Sequence, residues 1–187
     1  WRERQVGLAE GDLTFGLGPT AMVEPLAARR ADTRDGDVVE LCPALPGIAG
    51  EIARRISAHG GVAVVIDYGG WHSLGDTLQA LSDHAAADPL ANPGDADLTA
   101  HVDFEALSTA FRAGGAAVTG MTFQGTFLER LGITTRARAL AGRLSGTALS
   151  AHIAAHRRLT HPDEMGHLFK AIACHPTGTP PPPGLDP

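Results

Sequence analysis

Two short clusters hold the side chains best suited to polar chemistry. Asp67-Tyr68-Gly69 ends the run Gly60-Gly61-Val62-Ala63-Val64-Val65-Ile66, and Asp97, His101 and Asp103 follow one long loop later. An apolar run that stops abruptly at a carboxylate and a phenol reads as a buried parallel strand delivering polar groups to the mouth of an α/β sheet. Asp67 can line such a cleft, or it can cap a neighbouring loop. His101 can accept a proton, and it can equally be a histidine bonded to a loop carbonyl. Asp103 is first of all an N-cap, because Phe104, Leu107 and Phe111 follow at helical spacing, Glu105 sits in the first turn and Gly114-Gly115 closes the helix. Asp97 suits a loop fixed by side-chain-to-backbone bonds. His152, His156 and His161 contain one pair spaced four apart, but no Glu stands between them as in a zincin, so a structural or surface role outweighs a metal site. No serine elbow, P-loop or CxxC pattern is present.

The elements that must position these residues are readable in outline. Arg4 to Leu8 and Leu13 to Leu17 flank a Gly-containing turn and predict a β-hairpin. Residues 18–36 read mostly as loop, and Val38 to Cys42 as a short strand. Leu45, Ile48, Ala49, Ile52, Ala53 and Ile56 recur at three and four, which predicts an amphipathic helix stopped by Gly60. The strand Gly61 to Tyr68 follows, completing half of an α/β unit. Gly69 to Ala100 has no clear period and reads as a functional loop. Ala116 to Met121 suggests a strand, Gln124 to Leu131 a short helix, Arg136 to Arg158 one or two helices weakened at Gly142 and Gly146, and Leu168 to Cys174 a last strand. The Pro-rich tail 176–187 is expected to be disordered, leaving residues 1–175 as the folded portion.

Composition narrows the classes of function. Fifteen basic residues stand against 21 acidic ones, a net charge of −6, and the Arg pairs at 29–30, 54–55 and 157–158 are scattered. That argues against a nucleic-acid footprint. No run approaches the roughly 18 apolar residues of a membrane span, so no membrane partner is expected. Cys42 and Cys174 both sit in apolar, strand-like runs and are expected to be buried thiols in a reducing compartment. The chain begins at Trp1 without an initiator Met and is expected to be processed or cut from something longer.

Several motifs then occur in one order: Trp1-Arg2-Glu3-Arg4, Asp67-Tyr68-Gly69, Asp76-Thr77-Leu78-Gln79-Ala80, His84, Pro93-Gly94, Asp97 to Phe104, Phe127-Leu128-Glu129-Arg130-Leu131-Gly132-Ile133 and Gly166-His167-Leu168-Phe169-Lys170. Each alone is weak; together they resemble the MidA-like family of AdoMet-dependent methyltransferases, which includes the mitochondrial protein arginine methyltransferase of complex I assembly. The resemblance covers the C-terminal half of that family and runs to Pro176. It implies an α/β, Rossmann-like class I sheet with an antiparallel last strand, plus a β-hairpin insertion and helices.

It also implies S-adenosyl-L-methionine as cofactor and an arginine of a protein partner, for mitochondrial members a complex I subunit, as methyl acceptor. The compartment implied is cytoplasmic, or the mitochondrial matrix in a eukaryote. Asp67, Tyr68 and His101 become the substrate-cleft candidates. Asp67 would orient the guanidinium while Tyr68 packs on its plane. The family's glycine-rich loop, the acidic residue after its second strand and its Asn-Glu segment have no counterpart here. Gly16-Leu17-Gly18-Pro19 trails a hairpin strand and does not open a βαβ unit. No cofactor-binding residue is therefore assigned within the chain, and alone it is expected to bind AdoMet weakly and to be inactive. A half-sheet would expose an edge, so pairing with a second copy as a homodimer, or with an N-terminal half, is expected. Two rivals remain: a non-catalytic assembly or binding module with this fold, and a small-molecule α/β enzyme using Asp67 and His101.

Overall fold

The structure, a computed structural model, describes residues 1–186. In chain order the elements are β1 (Arg2–Ala9), β2 (Asp12–Thr20), α1 (Leu45–His59), β3 (Ala63–Gly70), β4 (Gln79–Ser82), β5 (Ala85–Ala87), β6 (Asp97–Thr99), β7 (Val102–Asp103), α2 (Phe104–Ala113), β8 (Ala117–Val118), β9 (Thr122–Phe123), α3 (Gln124–Arg130), α4 (Ile133–Ala141), α5 (Gly146–Thr160) and β10 (Phe169–His175). They form two compact units, one of Trp1–Glu40 with Leu74–Ala100, the other of Leu41–Ser73 with His101–Pro187. The single folded portion 1–175 expected from sequence is thus divided internally.

The first unit is antiparallel. β1 and β2 pair across a two-residue turn, Glu10-Gly11, whose positive φ angles of 55° and 97° match the twist of a hairpin. The region 69–100, aperiodic in sequence, contains a three-stranded sheet in the order β5-β4-β6, with Asp83 and His84 making its tight turn at positive φ. Strands of three or four residues are too short to show a period of two, which is why the sequence reads there as loop. Arg4 forms a bidentate ion pair with Asp76 and lies over the Phe15 ring at 4.2 Å. The guanidinium holds the Asp76 carboxyl below its ordinary range.

The second unit carries the mixed sheet β7-β3-β10-β8, with β9 also paired to β10. β10 runs antiparallel to β3 from Tyr68↔Phe169 to Ala63↔Cys174, and β7 joins β3 in parallel at Gly69↔Val102 and Gly70↔Asp103. The antiparallel last strand therefore lies inside the sheet, between β3 and β8. Alternation sorts its side chains by face. Ile172 and Cys174 join Ala49, Ala53 and Ile56 of α1 and Phe104, Leu107 and Phe111 of α2 in the main core. Ala171 and Ala173 face a smaller cluster with Phe127 of α3 and Leu185.

Three local expectations change and one is refined at its boundary. Val38 to Cys42 forms no strand, and Cys42 is exposed; only Cys174 is buried, which pushes its thiol up. The strand expected over Ala116 to Met121 is interrupted at Thr119, whose N–H donates to Ala173 O while its Oγ1 accepts from Ala173 N, replacing a ladder step with a side chain. The helical region 136–158 resolves into α4 and α5, broken between Gly142 and Gly146, and α4 begins earlier, at Ile133. The tail expected to be disordered is packed through Asp186: Leu185 is 4% exposed, Asp186 accepts from Gly120 N, and its carboxylate pairs with Arg130 at 2.7 Å. Proline fixes the backbone of this segment in advance, so one buried leucine and two polar anchors suffice to hold it. Pro187 lies outside the described residues.

Candidate active site

The carboxyl end of β3 is built by a close approach. A Cβ on Gly69 would collide with the Val102 carbonyl oxygen, so the glycine of Asp67-Tyr68-Gly69 is what lets β7 lie against β3. Asp103 fixes the junction with both oxygens. Oδ1 accepts from Ala106 N at 2.8 Å, capping α2, and Oδ2 accepts from Ser73 N at 2.9 Å; Glu105 N also donates to Trp71 O. The cap reading of Asp103 holds, and its carboxylate has structural partners on both sides. His72 Nδ1 lies 2.6 Å from Glu105, adding a polar contact at the same rim.

Tyr68 and His101 are brought together. Their rings meet edge-on with centroids 5.7 Å apart, and Tyr68 meets Phe169 edge-on at 5.3 Å. These three rings form an aromatic row with His101 exposed at its outer end. Asp67 does not belong to it. Successive residues of a strand point to opposite faces, so Asp67 and Tyr68 diverge. Asp67 Oδ1 accepts from Tyr68 N at 2.8 Å. Across the ladder Asp67 stands opposite Lys170, and Lys170 opposite Phe123, a second row on the other side of the sheet. Lys170 Nζ donates to Leu168 O and lies 5.9 Å from the Phe123 ring centroid, and Phe123 stacks on His167 at 4.3 Å. Burial pushes the Lys170 ammonium below the usual lysine range. A clamp in which Asp67 and Tyr68 grip one guanidinium from the same side is therefore not what the strand presents. It presents two rows, one aromatic and one charged.

Sequence reasoning missed Phe169, Lys170 and Phe123 as neighbours of these candidates. For Phe169 and Lys170 the signal was the motif Gly166-His167-Leu168-Phe169-Lys170, but only the β3–β10 register tells which of its residues faces which row, and Phe123 follows only from its pairing opposite Lys170. Asp97 lies in β6, in the other unit from His101 and Asp103. His152 and His156 line a recess between α4 and α5, where their Nε2 atoms sit 2.9 Å from Ala137 O and Thr134 Oγ1.

A strand-end polar group beside a parallel crossing is the geometry of ligand sites in α/β sheets. The family described as putative S-adenosyl-L-methionine-dependent methyltransferase matches residues 1–122. The mitochondrial protein arginine methyltransferase NDUFAF7 of Homo sapiens is 34% identical over 180 residues, 94% of this chain and 40% of that protein. The chain belongs to this AdoMet-dependent methyltransferase family. Its Xenopus tropicalis relative of the same name is 33% identical over 181 residues, covering 94% of this chain and 41% of the relative. A Burkholderia thailandensis protein crystallised bound to S-adenosyl-homocysteine superimposes over 100% of this chain and 48% of its own, with a TM-score of 0.79 at 31% identity. The fold is the Rossmann-like α/β fold of these methyltransferases, and the chain spans about 40% of the length of the curated relatives it matches.

The glycine-containing segment ahead of Pro19 does not form a cradle for AdoMet. Gly16-Leu17-Gly18-Pro19 lies within β2, where Gly18 packs against the Gln5 side chain, and not at a turn from a strand into a helix.

Proposed function

We propose that this chain is the substrate-side portion of a protein arginine methyltransferase, with the AdoMet-holding residues in polypeptide outside this segment. The observation that carries the reading is the end of β3, where Tyr68, His101 and Phe169 form an aromatic row beside the glycine-enabled β7 crossing. Planar guanidinium groups stack on aromatic faces, so this row suits an arginine acceptor. Asp67, on the other side of the strand, supplies negative charge near the same sheet end without touching the ring row. The protein substrate and the arginine specificity come from the relatives named above. By the same resemblance, a respiratory complex I subunit is the first acceptor to test, in the cytoplasm of a bacterium or the mitochondrial matrix.

The unpaired edge of β3 supports a larger sheet. Among the described residues no strand pairs with Ala63 to Tyr68 on the side away from β10, and Val64 and Ile66 are 44% and 41% exposed. A strand that is central in composition but bare on one edge is matched to a further strand.

The test uses the full-length polypeptide, a protein acceptor and AdoMet. Tyr68→Phe keeps the ring and should leave methylation close to normal, whereas Tyr68→Ala should lower kcat/KM by roughly two- to tenfold, since offset ring contacts are worth about 0.5–1.5 kcal/mol beyond area burial. Asp67→Asn should reduce turnover less than Tyr68→Ala. Normal methylation by the folded Tyr68→Ala variant would overturn the reading. A second reading, a binding module without catalysis, is favoured by the place of Gly16-Leu17-Gly18-Pro19 within β2, away from any strand-to-helix turn. Methyl transfer by the full-length protein would exclude it.

A further inference from the structure

α4 and α5 pack as a helical hairpin without burying a single residue. Between them lies a shallow recess of about 230 Å³, lined by Ile133, Leu140 and Leu159 together with His152 and His156, with Arg136 in its wall. Leu140 is 42% exposed and Ile153, on α5, 58%. The charge here runs against the rest of the chain. From residue 124 to residue 160 there are six arginines and one carboxylate, Glu129, in a protein whose net charge is −6. Two arginines are used internally, Arg130 by Asp186 and Arg157 by Glu164. Arg136, Arg138, Arg143 and Arg158 make no ion pair among the described residues. Arg143 lies in the turn after α4, and Arg158 stands three residues from Ala155, hence beside it on the α5 surface.

We propose that the α4–α5 recess is a docking groove for an acidic amphipathic helix of a partner protein. Two antiparallel helices joined by a short turn leave a furrow into which the side-chain ridge of a third helix fits. The occupant would seat apolar residues at i, i+3, i+4 and i+7 on Ile133, Leu140 and Leu159, and set carboxylates against Arg136, Arg143 and Arg158. Charge selects the occupant's sign, because the unpaired arginines repel a second basic hairpin and so disfavour a two-fold contact of this face with its own copy. Shape favours a helix over a bilayer. Neither α4 nor α5 carries a Phe, Tyr or Trp to enter lipid, and the apolar atoms line a recess that a flat surface would bridge. This inference goes beyond the methyltransferase reading and does not depend on it.

The probe is a fluorescent synthetic peptide with Leu at i, i+3, i+4 and i+7 and Glu elsewhere, titrated with the whole chain in low salt and read by anisotropy, without AdoMet. The expected result is saturable binding that weakens by roughly tenfold or more in Arg136→Glu/Arg158→Glu, as loss of close charge pairs does at interfaces. It should weaken likewise in Leu140→Asp and persist in Arg54→Glu/Arg55→Glu on α1. Circular dichroism confirms that each variant is folded. Absence of binding, equal binding of a scrambled peptide of the same composition, or indifference to the α4–α5 changes would overturn the proposal. So would Arg136- and Arg158-dependent pelleting with phosphatidylglycerol vesicles when the peptide stays free.

Discussion

α2 and α5 are both Ala-rich amphiphiles of the same unit, yet they fare oppositely. α2 buries Phe104, Leu107, Ser108, Ala110 and Phe111, whereas α5 is half again as long and buries nothing. The difference lies in how the apolar residues are distributed. In α2 they fall at 104, 107, 110 and 111, one stripe that meets α1 and the β3–β10 sheet. In α5, Ala148, Leu149, Ala151, Ile153, Ala154, Ala155 and Leu159 are spread around the helix, so no single face can claim them. A stripe closes a core from within; a helix apolar on several sides is left with surface for something else to cover. The fold is thus self-sufficient on the α1–α2 side and open at the hairpin.

The comparison can be broken most severely at Phe111, which is fully buried between α1 and the sheet. Phe111→Ala should lower unfolding free energy by about 3–5 kcal/mol, the range for deleting a core aromatic. Urea denaturation followed by circular dichroism measures it, and a loss below about 1 kcal/mol would mean that α2 is no more committed to the core than α5. A middle-sized effect is expected at Asp103, where one carboxylate caps α2 and ties down Ser73. Asp103→Ala should cost about 0.5–2 kcal/mol by loss of the cap. Asp103→Asn keeps one accepting oxygen and should retain part of it. The smallest effect belongs to α5. Ile153→Ala removes an exposed side chain and should change stability by no more than about 0.5 kcal/mol in the isolated chain. Ile153 does not line the α4–α5 recess, so peptide binding should also persist in this variant; a large stability loss would show that α5 is packed as tightly as α2.

The sequence alone determined those elements whose signal is local and repeated. The helix over Leu45–His59 follows from apolar spacings of three and four with Gly60 as its stop, the hairpin from two short runs around Glu10-Gly11, and the cap at Asp103 from its place ahead of Phe104, Leu107 and Phe111. It also carried, in motif order, the resemblance that the comparisons support. Only the tertiary structure decided what depends on partners distant in sequence. The pleat puts Asp67 and Tyr68 on opposite faces, but Tyr68 gained Phe169, and Asp67 its place opposite Lys170, from a register set more than ninety residues away. The tail shows the same limit. Its composition reads as a segment unable to form a core, and by itself it forms none. Leu185 is buried because Phe127, Ala171 and Ala173 leave a site that fits it. Periodicity records what a segment can bury; which surface buries it is a property of the assembled chain.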